Sequence, residues 1–322
     1  MAALIAVAAA LLFGATVPLA KTLLAHLPPV ALAGLLYLGC GIGLLAIVAV
    51  RRLLGVPIRF ARAHVPAFLG SLVSGGIVAP LLFVQGLADT TAGDAALLLN
   101  LETVFTVVLA RVMLREPFGA RRWLGMAFVV GAAVGLGWSA ARLSWHVGDL
   151  LVACACGGWA LDNILTRRVA DADALFLAGT KGAVAGLVDL GLAAMVSRPW
   201  GAITPVPEAL LVGFVGYGLS LVGFIVALRT LGAARTSSYF ASAPFFAAVL
   251  ATASGETPLT LSLGLAFWAT AVGVVLLTLS DRRHTGSHRH WHYHGVRRRH
   301  HDGPAHAPRL LWGWHCHGHD HG

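Results

Sequence analysis

The chain has 322 residues, 57% of them hydrophobic and only 11% charged, with a mean hydropathy of +0.78 and a formal charge of +9. A soluble domain of this length exposes far more charge, so a soluble globular class is excluded. No nucleophile elbow, no Gly-rich phosphate loop with Lys-Ser/Thr and no heptad pattern is present, which argues against an enzyme.

Along the chain, apolar runs of about 20 residues recur, each long enough to cross ~30 Å of hydrocarbon as a helix. Ten are expected, near 3–20, 30–50, 66–87, 93–113, 122–139, 148–167, 174–196, 208–229, 233–252 and 261–280. The predicted fold class is therefore all-α, a polytopic membrane protein with ten transmembrane helices. The first run, "MAALIAVAAALLFGATVPLA", lacks the basic start of a signal peptide, and Lys21 comes after it, so it is expected to be a retained span.

Orientation follows from the cations. With a cytoplasmic N-terminus, nineteen Lys and Arg fall on inside connections or in the tail and three (Lys21, Arg142 and Arg198) fall outside. Both termini are thus expected in the cytoplasm of a bacterial-type cell, with the protein in the inner membrane. The positive balance reads as anchoring to an anionic leaflet, not as nucleic-acid binding.

The chain also repeats itself. "FGATVPLAK" (13–21) and "WALDNILTR" (159–167) each open on an aromatic and end on a cation. "LADTTAGDAALLLNLETVF" (87–105) lies on "ALRTLGAARTSSYFASAPF" (227–245) at an offset of 140, which also sets Glu116 on Glu256. Two halves of five helices follow, 1–140 and 141–280. Five is odd, so the second half enters the membrane inverted, an arrangement common in alternating-access transporters. These features resemble the drug/metabolite transporter superfamily and its EamA-like permeases, through the aromatic-to-basic pattern, "RVMLREPFGARRWLG" (111–125) and "APFFAAVLATASGETPLTLSLG" (243–264). The resemblance covers about residues 1–280 and implies a carrier fold with a central cavity, often exporting amino acids, metabolites or drugs. Many members carry Arg in the second helix, whereas this chain reads "AGLLYLG" (33–39), with Leu36 aligned to Lys181.

Charges inside the apolar runs carry the functional reading. A central ionised residue costs about 2.5–3.5 kcal/mol on an insertion scale, which the Leu and Val around Glu102 offset. Glu102 and Asn100 are accordingly expected to point into a wet cavity. Helix-packing glue is the alternative. Asp162 and Lys181 lie at similar depth on consecutive antiparallel helices and so can pair. Asp189 falls near two turns beyond Lys181. Lys181 and Glu102 are expected to bind the polar ends of a small substrate, with Trp159 and Tyr37 as candidates for apolar contact. A static ion pair is the competing reading of Asp162 and Lys181. Gly131/Gly135 and Gly182/Gly186 have the spacing of close helix contacts, and Pro18, Pro80 and Pro244 fall inside apolar runs. Cys154 and Cys156 are about 200° apart on a helix and cannot close on each other, and no disulfide framework exists.

Residues 281–322 change character and form a basic, His-rich tail, expected to be disordered and cytoplasmic, with twelve of the fifteen histidines. His288, His290, His292 and His294, and His315, His317, His319 and His321 with Cys316, alternate along the chain, so an extended strand puts the imidazoles on one side. Such donors, with Asp302 and Asp320, suit Zn²⁺, Ni²⁺, Co²⁺ or Cu²⁺, while no cofactor is required by the carrier itself. The membrane runs contain no His, which weighs against metal as the cargo. Two functions remain: a permease for small organic solutes, an exporter by alternating access, with a regulatory metal-binding tail; or a divalent transition-metal exporter or membrane metal sensor. The expected partners are the bilayer, a small-molecule substrate and divalent metal ions, with a homodimer left open.

Overall fold

The structure is a computed structural model that describes residues 2–114, 120–137, 146–169, 171–196, 205–231, 236, 239–255, 257–279, 288–293 and 314–319. Residues 1–278 form one compact unit and residues 279–322 a second. Glu116 and Glu256 of the repeat, Asp302 and Asp320, and His294 and His321 of the proposed metal set lie outside the described residues.

The first unit is helical. α1 (Ala2–Leu23), α2 (Pro29–Leu53) and α3 (Arg62–Asp89) are followed by α4, which is made of Ala92–Leu98 and Leu101–Leu114. α5 (Ala120–Gly137), α6 (Val147–Arg167), α7 (Ala174–Val196), α8 (Val206–Leu231), α9 (Ala243–Ala253) and α10 (Leu261–Leu279) complete it. Seven of these, α1 to α4 and α6 to α8, are long and apolar enough to cross a membrane among the described residues; the other apolar stretches are shorter. The chain is a multi-pass, all-α membrane protein.

Local signals explain the ends. Pro29 opens α2, where its missing N–H costs nothing. Past its end, Gly55 at φ +80° allows Val56 N–H to reach Arg51 O and Gly55 N–H to reach Arg52 O, closing the last turn. Thr91 caps α4 by accepting from Asp94 N–H at 3.0 Å.

α3 and α8 share one irregularity. Each contains a single wide turn with i→i+5 hydrogen bonding, Leu72–Val78 in α3 and Gly213–Leu219 in α8. In α3, Ala79 N–H bonds Ser74 O, and the next residue, Pro80, has no N–H to offer Gly75 O. The Gly75 carbonyl is therefore free of the helix ladder.

Helices of the two sequence halves interleave. α1 packs on α8 and α9, α2 on α7 and α8, and α3 and α4 on α6. The α2–α7 crossing is close. A Cβ on Gly182 would stand 2.7 Å from Gly41 N, and one on Gly34 2.8 Å from Leu190 N. Small residues let backbones meet where lipid supplies no hydrophobic drive between helices. Large apolar side chains such as Leu4, Ile42, Leu187, Val249 and Trp268 face outward, as a bilayer requires.

In the second unit, His288–Tyr293 and Trp314–His319 pair as antiparallel strands. The register sets His288 against His319, His290 against His317 and His292 against His315, with Trp291 against Cys316.

Candidate functional site

Three helices bring charged groups to the middle of the first unit, and a fourth brings a hydroxyl that ties two of them. On α6, the sequence WALDN places Trp159, Asp162 and Asn163 within about one turn, so all three lean to the same side. α7 contributes Lys181, whose Nζ donates to Asp162 Oδ2 at 2.5 Å and to Ser71 Oγ at 3.1 Å. Ser71, on α3, donates in turn to Asp162 Oδ1 at 2.5 Å, and Thr166 Oγ1 donates to the same oxygen at 2.9 Å. The expected pairing of Asp162 with Lys181 is thus present and nearly dry, with side chains 12% and 6% exposed. A pair so enclosed holds only because its remaining valences are met by hydroxyls.

α4 contributes Glu102. The helix breaks at Leu99–Asn100, and Glu102 restarts it in the first turn of the second segment, where helix N–H groups favour a carboxylate. Its Oε1 accepts from Asn163 Nδ2 at 2.6 Å. Among the described residues Glu102 makes no ion pair.

Gly75 organises the aromatics. Its freed carbonyl accepts from Tyr37 Oη at 2.7 Å and Trp159 Nε1 at 3.2 Å. A Cβ at Gly75 would collide with the Asp162 carboxyl, so only glycine fits there. Phe13 lies edge-on to Trp159 at 6.1 Å and to Tyr217 at 5.6 Å, and Phe240 stands 5.6 Å from Phe13. These groups surround a partly open cavity between the helices.

Of the residues singled out in sequence, Glu102, Lys181, Asp162, Trp159 and Tyr37 line this cavity, whereas Asn100 and Asp189 do not. Asn100 is two residues from Glu102, on the far side of the helix break, and its Nδ2 turns back to Leu97 O at 3.2 Å. Asp189 lies about 12 Å along α7 from Lys181, where the helix faces α2; it is fully buried and neither carboxyl oxygen has a partner. Sequence reasoning passed over Ser71, Asn163, Tyr217, Phe224 and Phe240. Phe13 was quoted only as the head of a repeat, although the repeat aligns it with Trp159, which it touches.

Two ties hold the ends of the bundle. Lys21 Nζ, at the end of α1, donates to Leu87 O, Ala88 O and Thr90 O at 2.6, 3.1 and 2.7 Å, filling carbonyls left over where α3 stops. Thr90 Oγ1 then donates to Asp149 Oδ1 of α6 at 2.7 Å. At the opposite end, Arg51 of α2 pairs with Asp173 at 3.1 Å, and Arg229 of α8 donates to Ala172 O, so the α6–α7 connection is gripped from two helices. Among the described residues no group of three or more His, Cys, Asp or Glu converges.

A bundle of membrane-length helices around a partly open pocket with paired and lone charges defines a polytopic solute carrier. The sequence matches the EamA-like transporter family over residues 1–138 and again over 146–279, and the chain belongs to that family: it is a transporter of the drug/metabolite type, not an enzyme. It is 28% identical over 289 residues to an uncharacterized transporter of Methanothermobacter thermautotrophicus, covering 84% of this chain and 82% of the relative. The uncharacterized inner membrane transporter YedA of Escherichia coli K12 is 27% identical over 266 residues, 78% of this chain and 82% of its own. A shorter match, 32% identical over 82 residues, 26% of this chain and 74% of the relative, is to a probable 4-amino-4-deoxy-L-arabinose-phosphoundecaprenol flippase subunit, ArnE, of Escherichia coli 55989. A protein of known crystal structure, 19% identical, superposes with a TM-score of 0.66 over 89% of this chain and 99% of its own length, which shows the shared fold.

Proposed function

We propose that the protein is a secondary permease for small organic solutes, working as an exporter by alternating access in an inner membrane with both termini cytoplasmic. The observation that carries this reading is the cavity between α1, α2, α4, α6, α7 and α8, where Glu102 and the Lys181–Asp162 pair sit beside aromatic rings at mid-bundle. Intramembrane ionisable groups are costly and mark substrate pathways. Ten spans in two inverted halves fit the same reading, since the wide turns of α3 and α8 recur near the repeat offset. The test is uptake or efflux in proteoliposomes of Glu102→Gln and Lys181→Met at normal membrane levels. Near-total loss in both supports the reading; wild-type rates in both overturn it.

A second reading is favoured by the tail. The strand register sets His288 across from His319, His290 from His317 and His292 from His315. We infer that the tail takes up Zn²⁺, Ni²⁺, Co²⁺ or Cu²⁺ and regulates the permease. Truncation after Ser280 is expected to abolish metal binding and leave organic-solute transport intact. Loss of metal resistance on truncation favours a divalent-metal exporter or metal sensor instead.

A further inference from the structure

The charges around the cavity do not cancel. Lys181, the cation lining it among the described residues, is already taken: its ammonium serves Asp162 Oδ2 at 2.5 Å and Ser71 Oγ at 3.1 Å. Asp162 is equally satisfied, since its second oxygen accepts from Ser71 and Thr166. What remains is the Glu102 carboxyl, oriented by the neutral Asn163 amide and matched by no cation among the described residues. A carboxylate on a substrate would meet this negative group with no free positive partner. A positively charged nitrogen would meet both Glu102 and electron-rich rings.

The rings point the same way. Phe13, Tyr37, Trp159, Tyr217, Phe224 and Phe240 line the space, and the hydrogen-bonding ends of Tyr37 and Trp159 are spent on Gly75 O. Apart from the Tyr217 hydroxyl, which has no hydrogen-bond partner among the described residues, the rings contribute apolar surface and π-density, which binds ammonium groups and hydrocarbon alike. Resting on the reading of this cavity as the transport site, we propose that its substrates are amines or other monovalent organic cations with one apolar body, held by Glu102 and the aromatic walls, and that zwitterions and anions are discriminated against. This departs from the sequence-level expectation of a substrate with two charged ends shared between Glu102 and Lys181. The departure follows from Lys181 being consumed by Asp162.

The test uses full-length protein in lipid nanodiscs and four probes that share a phenyl ring: phenethylamine, phenylalanine, 3-phenylpropionate and 2-phenylethanol. Binding of radiolabelled phenethylamine is measured by scintillation proximity, with each unlabelled probe as competitor. Phenethylamine is expected to compete at concentrations at least about tenfold lower than the other three, as ion-pair and cation–π contacts of this kind require. Glu102→Gln should weaken its binding at least about tenfold. Glu102→Asp should recover much of it, and both variants should elute as monodisperse as wild type. If phenylalanine or 3-phenylpropionate competes as well as phenethylamine while Phe240→Ala weakens both, the cavity stands as the transport site and the cation assignment falls. If no probe binds, or binding ignores both Glu102→Gln and Phe240→Ala, the transport-site reading falls with it.

Discussion

Lys181 and Asp162 are the residues whose roles separate most cleanly by mutation. Lys181→Met leaves a buried carboxylate without its ion partner and is expected to cost about 3–5 kcal/mol, read as a large drop in melting temperature in detergent. Lys181→Met combined with Asp162→Asn removes both charges and should recover most of that loss without restoring transport. A double variant no more stable than the single one would mean the pair is not a coupled unit. Asp189 predicts the opposite sign. Its carboxyl is buried with no partner and lies outside the cavity, so Asp189→Leu should leave transport unchanged and raise stability by about 1–3 kcal/mol. At this scale the sequence was readable where depth alone decides: counting 1.5 Å per residue brought Asp162 and Lys181 level. It was not readable where rotation or packing decides, because Asn100 and Asp189 look like Glu102 on a hydropathy plot. Aromatics such as Phe13 and Tyr217 look alike whether they fill a core or line a void.

The wide turn of α3 is a built element. Pro80 denies Gly75 its helix donor, and the freed carbonyl then anchors Tyr37 and Trp159 against the Asp162 carboxyl. Pro80→Ala returns an N–H that competes for Gly75 O. It is expected to leave stability unchanged or slightly raised while transport falls, measured by melting curves alongside flux in proteoliposomes. Unchanged flux would show that the aromatic arrangement does not depend on this carbonyl. The α2–α7 crossing gives a second contrast. Gly182→Val must force apart backbones 2.7 Å from the added carbon and should prevent stable folding, whereas Gly131→Ala, whose Cβ meets nothing within 4 Å, should be silent. Both glycines belong to pairs with the same four-residue spacing, and only the structure separates the packed pair from the open position. The spacing was legible; the partner was not.

Across the molecule, the apolar runs placed the helices in order, and the repeat aligned Phe13 with Trp159, two rings that lie edge-on to each other at 6.1 Å. Six of the seven long apolar helices meet the cavity, so the site belongs to both halves together. The ties at Lys21 and at Arg51 lie at opposite ends of the bundle. Their cations were legible as topology signals, and Lys21 also as the end of a repeat, but neither pattern gives a hint of the carbonyls or carboxylate they hold. Everything functional depends on water reaching the space beside Glu102. The most direct measurement is thiol labelling in nanodiscs, on a background with the native cysteines replaced, using a small charged methanethiosulfonate. Leu221→Cys, on the cavity wall, should react readily and be protected by phenethylamine, while Val249→Cys, on the outward apolar face, should stay unlabelled. An inert Leu221→Cys beside a reactive Val249→Cys would contradict a hydrated central pocket.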